Sequence, residues 1–193
     1  MYETHSVVGN LKLALQSIES SRSSPPSDIF SEDVSSVDQF LNVISSLDSN
    51  VTSENYQVSL HRDGIRLEWE DQANKQGGRF SLFFASNIMA FRTFCILSVD
   101  WITGSLKFSD HIIGFFVAIK NSSWNVQIWV DDGFDSRVIS ERYEYIVEWL
   151  KNVVNIQNDN YIIEFRVHPT YREYKTPIAK IKEKANQITS FQT

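Results

Sequence analysis

The order of apolar residues along this chain constrains its fold more than any other feature. Short stretches in which apolar and polar residues alternate, a pattern typical of half-buried strands, lie at 10–18, 57–61, 65–69, 79–84, 111–120, 125–130 and 161–168. Longer stretches with apolar residues at helical spacing lie at 37–47, 86–101 and 136–154. We therefore predict an α+β fold, in which helices pack on one face of a single curved antiparallel sheet.

The length of the chain predicts one domain over residues 1–193, because 193 residues have room for one sizeable core. Residues 17–35 are rich in serine and contain Pro25-Pro26, so we predict a flexible loop there. Residues 169–193 form a polar, basic C-terminal tail.

Composition argues against several functional classes. Cys95 is the only cysteine and the four histidines are scattered, so we expect neither a metal site nor a disulfide framework. No apolar run suits a membrane span and no secretory leader is visible, so we expect a cytoplasmic protein.

No catalytic constellation or cofactor motif is legible, which favours a binding protein over an enzyme. The net charge of −6 disfavours RNA binding through many phosphates and favours a local pocket.

The most specific motif occupies residues 63–80. A turn pair, Asp63-Gly64, precedes Trp69-Glu70-Asp71, and a polar connection leads to Gly77-Gly78-Arg79 and an apolar run. An indole, a carboxylate and a guanidinium therefore lie close together in the chain. These are the groups that hold a cationic purine carrying a phosphate chain, because cations are attracted to indole faces and phosphates to arginine.

This motif resembles the translation initiation factor 4E family, whose members bind the 7-methylguanosine cap of messenger RNA. The resemblance implies a curved antiparallel sheet of about eight strands, three helices on its convex face and a ligand slot on its concave face. It also implies that Trp69 stacks on the guanine, Glu70 accepts hydrogen bonds from the guanine edge, and Trp129 touches the methyl group. Arg79 and Lys120 match the positions that contact the phosphates.

The chain departs from the family pattern around this pocket. The first stacking aromatic of the family falls on Ser24, and Phe30 is the only aromatic in that loop. Phe30 either completes the guanine stack or staples the following helix. A third phosphate-binding base falls on Asn125. We therefore hypothesise that nucleotides beyond the cap bind through aromatic and polar residues of the hairpin and tail, namely Trp124, Asn125, Tyr171, Arg172, Tyr174 and Lys175.

The resemblance also implies a protein partner. Family members bind scaffold-type initiation factors and regulatory proteins on the convex face. These partners carry a helix with the pattern Tyr-x-x-x-x-Leu-apolar. Val37 matches that surface, and Leu41 replaces its usual tryptophan. The alternative function is that of a family relic, a translational regulator that mainly binds proteins and binds caps weakly or not at all.

Overall fold

A computed structural model of the chain describes residues 10–17, 27–51, 56–120, 123–156 and 160–168. Seven strands are found in these residues: β1 (Leu11–Ser17), β2 (Ser27–Val34), β3 (Tyr56–Arg62), β4 (Gly78–Phe84), β5 (Ile112–Lys120), β6 (Ser123–Val130) and β7 (Tyr161–Val167). The same residues contain three α-helices: α1 (Val37–Val51), α2 (Asn87–Ile102) and α3 (Ser136–Trp149).

The strands form one antiparallel, open and curved sheet in the order β2-β1-β3-β5-β6-β4-β7. This arrangement confirms the predicted fold class, with seven strands in the described residues instead of about eight. Among these residues, none of the helices has the length and apolar character that a membrane crossing requires.

The two faces of the sheet differ because side chains alternate along each strand. On the helix face, residues such as Phe80 and Phe115 are fully buried in the main core with Phe94 and Trp101 of α2. On the opposite, open face, Trp129 belongs to a smaller buried cluster with Ile113, Phe116 and Ala118.

The helix boundaries follow the predicted signals. Ser86 caps α2, since its hydroxyl accepts a hydrogen bond from the Met89 amide at 3.2 Å. The helix ends at Thr103-Gly104, where Gly104 has a φ of +71° that glycine tolerates without strain. The third helix continues through one π-helical turn, Leu150–Val154, and so reaches the predicted end at 154.

The loop predicted over 17–35 is wrong for residues 27–34, which form strand β2. In the described residues β2 pairs only with β1, so it is an edge strand. Glu32 and Asp33 are exposed and Val34 is buried. Charged residues are common on edge strands because they oppose pairing with other chains, and they hide the apolar alternation on which the prediction depended.

The strand predicted over 65–69 is also wrong. These residues form turns, although Ile65 and Leu67 do pack against the open-face cluster as their alternation suggests. Their backbone groups form hydrogen bonds with the side chains of Asp71 and Asn74, which follow in the sequence. The Arg66 amide donates to Asp71, and the Arg66 and Glu68 carbonyls accept from Asn74. These bonds take the place of a strand ladder.

Candidate functional site

The connection between β3 and β4, residues 63–77, lies over the open face and is shaped by its own polar side chains. Gly64 has a φ of +78°, and its amide donates to the Asp63 carboxylate at 2.9 Å. The Asp71 carboxylate accepts from the amides of Arg66 at 3.1 Å and Ala73 at 3.0 Å. These backbone hydrogen bonds lower the pKa of Asp71, because they stabilise the charged carboxylate.

Asn74 is the central residue of this connection and is fully buried. Its amide nitrogen donates to the carbonyls of Arg66 and Glu68, both at 2.7 Å. Its backbone carbonyl accepts from the Gly77 amide at 3.0 Å and from His168 Nδ1 at 2.9 Å. Asn74 therefore holds the segment that leads into Trp69-Glu70 and attaches it to the residue that follows β7.

Trp69 and Glu70 lie at the exposed turn of the connection. The Trp69 residue is 41% exposed, and Glu70 is also exposed. An exposed indole is unusual, since large aromatic side chains contribute most to stability when they are buried. Both side chains are therefore available to a ligand.

Trp129 is the second indole of the site and is only 4% exposed. Its ring centroid lies 4.2 Å from that of His168, and the Arg79 guanidinium carbon lies 5.6 Å from its centre. Its indole nitrogen donates to the Gln127 side chain at 3.3 Å. The ring is thus held by a histidine, an arginine and an amide before any ligand binds.

His168 is buried and connects the two parts of the site. Its Nδ1 donates to the Asn74 carbonyl, its backbone amide donates to the Gly77 carbonyl, and its ring packs against Trp129 at a tilt of 44°. Burial, together with the charge of Arg79, lowers the pKa of His168 to about 4, despite the bond to Asn74, which raises it. The ring is therefore neutral at neutral pH.

Arg79 lies on the open face of β4, between Trp129 of β6 and Arg166 of β7 in the strand register. Burial lowers the pKa of Arg79, and the neighbouring charge of Arg166 lowers it further. An arginine nevertheless stays protonated at neutral pH. The Arg79 Nε is buried and has no hydrogen-bond partner among the described residues.

Two glycines let the connection fit closely against the sheet. A Cβ atom on Gly77 would lie 2.1 Å from the Val130 carbonyl oxygen, and one on Gly133 would lie 2.4 Å from the Gly77 carbonyl oxygen. Neither position has room for a side chain. The Gly133 amide also donates to the Gln76 carbonyl at 2.9 Å. The end of the connection therefore packs directly on the backbone at the end of β6.

Comparison with known proteins identifies the family. The family model described as Eukaryotic initiation factor 4E matches residues 29–185, which is most of the chain. This chain belongs to the eukaryotic initiation factor 4E family. The resemblance noted in the motif at 63–80 is thereby confirmed.

Curated relatives agree at moderate identity. The chain is 27% identical over 143 residues to eukaryotic translation initiation factor 4E of Candida albicans, covering 69% of this chain and 64% of that protein. It is 29% identical over 112 residues to eukaryotic translation initiation factor 4E1 of Drosophila melanogaster, covering 57% of this chain and 41% of that protein. The matched region thus spans less than two thirds of these relatives' lengths.

Solved structures share the fold. Ascaris suum eIF4E-3 in complex with an m2,2,7G cap superposes with a TM-score of 0.65 at 20% identity, covering 85% of this chain and 92% of that one. A complex of C. elegans eIF4E-3 with the 4E-binding protein Mextli and a cap analog gives a TM-score of 0.64 at 21% identity, covering 81% and 90%. At such identities the likeness establishes the fold alone.

The structure of this initiation factor 4E family member brings together part of the predicted site. Trp69 and Glu70 lie on the connection over the open face, and Arg79 and Trp129 lie on that face. Asn125 has the same strand parity as Trp129, and its side-chain oxygen is buried without a partner in the described residues. Lys120 ends β5, but its side chain lies outside the described part.

The other predicted residues either lie elsewhere or fall outside the described residues. Trp124 lies on the helix face, partly buried against the main core, so its side chain does not join Asn125. The Phe30 side chain and the remaining predicted contacts, Ser24, Tyr171, Arg172, Tyr174 and Lys175, lie outside the described residues. On α1, Val37 packs against the main core and Leu41 is 46% exposed.

Sequence reasoning missed roles for Asp71, Asn74, Arg166 and His168. Asp71 and Asn74 were visible within the family motif, and their spacing of three residues is typical of a capped turn. Arg166 and His168 carried no local signal. Their proximity to Arg79 and Trp129 arises from the pairing of β4 with β7, which joins residues distant in the chain.

Proposed function

We propose that this protein binds the 7-methylguanosine cap of messenger RNA on the open face of its sheet, as a binding protein of translation initiation in the cytoplasm. One observation carries the proposal. The exposed Trp69-Glu70 pair is attached through Asn74 and His168 to a buried Trp129 and a half-buried Arg79. Two structural neighbours were solved in complex with a cap or a cap analog, which supports the same ligand class.

The chemistry of the cap fits these residues. Methylation at N7 makes the guanine cationic, and a cation is attracted to the electron-rich face of an indole. Trp69, which is 41% exposed, provides indole surface for stacking. The Glu70 carboxylate accepts hydrogen bonds from the N1–H and the N2 amino group of the base, and these bonds are strong because both partners are charged. Trp129 contacts the methyl group.

Arg79 and Lys120 bind the phosphates of the cap in this proposal. The Arg79 guanidinium carbon lies 5.6 Å from the Trp129 ring centre. Lys120 contributes a point charge without the bidentate geometry of an arginine. Asn125 adds no charge. We therefore expect affinity to fall from 7-methyl-GTP to 7-methyl-GDP to 7-methylguanosine.

Fluorescence titration with 7-methyl-GTP tests the guanine site. Glu70→Ala should weaken binding by roughly 10- to 150-fold, since a hydrogen bond to a charged group contributes about 1.5–3 kcal/mol. Glu68→Ala is a matched control, because it removes a nearby carboxylate and keeps the carbonyl that accepts from Asn74. Unchanged affinity in both Glu70→Ala and Trp69→Ala would contradict this assignment.

The convex, helix-bearing side is proposed to bind a helical segment of a scaffold-type initiation factor or regulatory protein. Leu41 of α1 offers exposed apolar area next to Val37, and the description of one structural neighbour names a 4E-binding protein. Leu41→Asp should abolish binding of a peptide with the Tyr-x-x-x-x-Leu-apolar pattern while cap binding persists. Asn42→Asp, at the adjacent exposed position, is the control.

The alternative is a regulator that mainly binds proteins. The uncharged Asn125 favours it, because one charge-assisted phosphate contact of the family is lost. The two titrations separate the alternatives. A wild-type protein that binds the peptide and has no measurable affinity for 7-methyl-GTP would support the regulator and contradict cap binding.

A further inference from the structure

Two arginines face each other across neighbouring strands of the open face. Arg79 of β4 is the direct register partner of Arg166 of β7. Like charges at directly opposed positions of an antiparallel pair destabilise the sheet. The whole chain has a net charge of −6, so this pair is not part of a generally basic surface.

The partners of Arg79 do not neutralise it. In the described residues its guanidinium lies over Trp129, its Nε is buried without a hydrogen bond, and no carboxylate forms an ion pair with it. A buried, charged donor without an acceptor costs free energy. An anion that accepts from Arg79 would remove this cost.

Arg166 is placed to share such an anion. Its side chain is 51% exposed and forms an ion pair with Glu164 of the same strand, with an N–O distance of 2.9 Å. The Glu164 side chain is 18% exposed, so the pair is partly buried, and an anion bound by Arg166 has to replace the interaction with Glu164. The three side chains Arg79, Arg166 and Glu164 carry a summed charge of about +1 at neutral pH.

The neighbouring strand lacks a matching charge. Asn125 of β6 shares the open face but provides an amide whose oxygen is buried without a partner. The described cations of the open face near Trp129 are therefore found on β4 and β7. This distribution shifts the positive potential of the site towards the β7 edge of the sheet.

We propose that Arg166 is a phosphate-binding residue, and that with Arg79 it forms a two-arginine site for the phosphate oxygens of a capped nucleotide. The inference depends on the proposed cap-binding function and deepens it. The phosphate is either part of the cap polyphosphate chain or the first phosphodiester of the RNA. The two sources offer the same oxygens, and the ligands of the test separate them.

The test compares three ligands, 7-methylguanosine, 7-methyl-GTP and a capped dinucleotide, in titrations with the full chain at several salt concentrations. Arg166→Gln should weaken binding of a phosphate-bearing ligand by about 5- to 20-fold and leave the affinity for the nucleoside unchanged. The slope of log affinity against log salt should become shallower, because one ionic contact that salt screens is lost.

Three further variants keep the test specific. Glu164→Gln removes the competing carboxylate and should strengthen binding of the same ligand. Arg166→Lys keeps the charge and should retain part of the affinity. Arg137→Gln is the matched control, because Arg137 is also an exposed arginine paired with a carboxylate, Glu141, but lies on α3. It should behave like the wild type.

Each outcome decides a different claim. A loss already present with 7-methyl-GTP assigns Arg166 to the polyphosphate chain, and a loss confined to the dinucleotide assigns it to the phosphodiester. If Arg166→Gln shows the same ratios of affinity for the three ligands as the wild type, the inference is overturned and cap binding stays intact. An equal loss for all three ligands would show a structural role and also overturn it. A wild-type protein that binds none of the ligands would overturn cap binding itself.

Discussion

The two tryptophans of the candidate site differ in how much of their surface the protein already covers. Trp129 is 4% exposed and contacts His168, Arg79 and Gln127, whereas Trp69 is 41% exposed at a turn. The Trp129 indole is in place before a ligand binds, and its contacts contribute to folding. The Trp69 indole keeps a substantial exposed area, and burying that area contributes to ligand binding.

The supports of the two indoles differ in the same way. Trp129 lies on a strand with neighbours on both sides. Trp69 lies on a connection held by side-chain hydrogen bonds from Asp71 and Asn74. The contact between the Asn74 carbonyl and His168 joins the two regions. Substitutions should therefore separate a stability effect at Trp129 from a binding effect at Trp69.

The largest effect should come from Trp129→Ala. Removing a buried tryptophan leaves a cavity beside Phe116 and His168 and should lower the free energy of unfolding by about 3–5 kcal/mol. Urea denaturation followed by circular dichroism measures it. A loss below about 1 kcal/mol would mean that Trp129 contributes little to stability, and the difference between Trp129 and Trp69 would disappear.

Asn74→Ala should have the next largest effect and should connect the two regions. The carbonyls of Arg66 and Glu68, in part-buried hydrogen bonds, would lose their donor, at a cost of about 2–3 kcal/mol. Cap affinity should fall as well, because the segment before Trp69 loses its anchor. The exposed Gln72→Ala serves as the control in both measurements. Normal cap affinity in a destabilised Asn74→Ala protein would mean that Trp69 is positioned independently.

His168 should make stability depend on pH. The pKa of its ring falls from the usual value of 6.5 to about 4 in the folded protein, so between these values the unfolded state binds more protons. The contribution of the neutral ring is therefore complete above pH 6.5 and is lost as pH falls towards about 4. The expected loss is about 2–3 kcal/mol, after allowance for partial solvation.

Urea denaturation at intervals between pH 7 and pH 4 measures this dependence. His168→Gln should show a shallower dependence over the same interval, since glutamine does not titrate. Identical pH profiles for the variant and the wild type would assign the acid sensitivity to other groups.

The smallest effect on stability should come from Trp69→Ala. Because Trp69 is 41% exposed and Trp129 only 4%, the free energy of unfolding should fall by about 1 kcal/mol, whereas binding of 7-methyl-GTP should be lost. Differential scanning fluorimetry with and without ligand measures both. Destabilisation as large as that of Trp129→Ala would show that the two indoles have the same role.

Much of the fold was predictable because its strands carry apolar residues at alternate positions and its helices carry them at helical spacing. β2 was not predictable, since an edge strand buries little and its polar residues look like a loop. Residues 65–69 alternate as a strand does, but Asp71 and Asn74 bond with their backbone groups instead of a neighbouring strand.

The candidate site was predictable where its residues are close in sequence. Trp69, Glu70 and Arg79 lie within one motif that resembles a known family. Arg166 and His168 are distant from that motif and become neighbours of Arg79 and Trp129 through the β4–β7 pairing. Local patterns carry no information about register between strands so far apart in the chain.

The close contact of Gly77 with Val130 and Gly133 has a consequence for how the protein responds to its surroundings. It is a contact between backbone atoms at the limit of van der Waals approach, and such contacts do not change with ionic strength. The attachment of the connection to the end of β6 should thus stay the same in dilute and in concentrated salt. Salt should weaken phosphate binding while this attachment is unchanged.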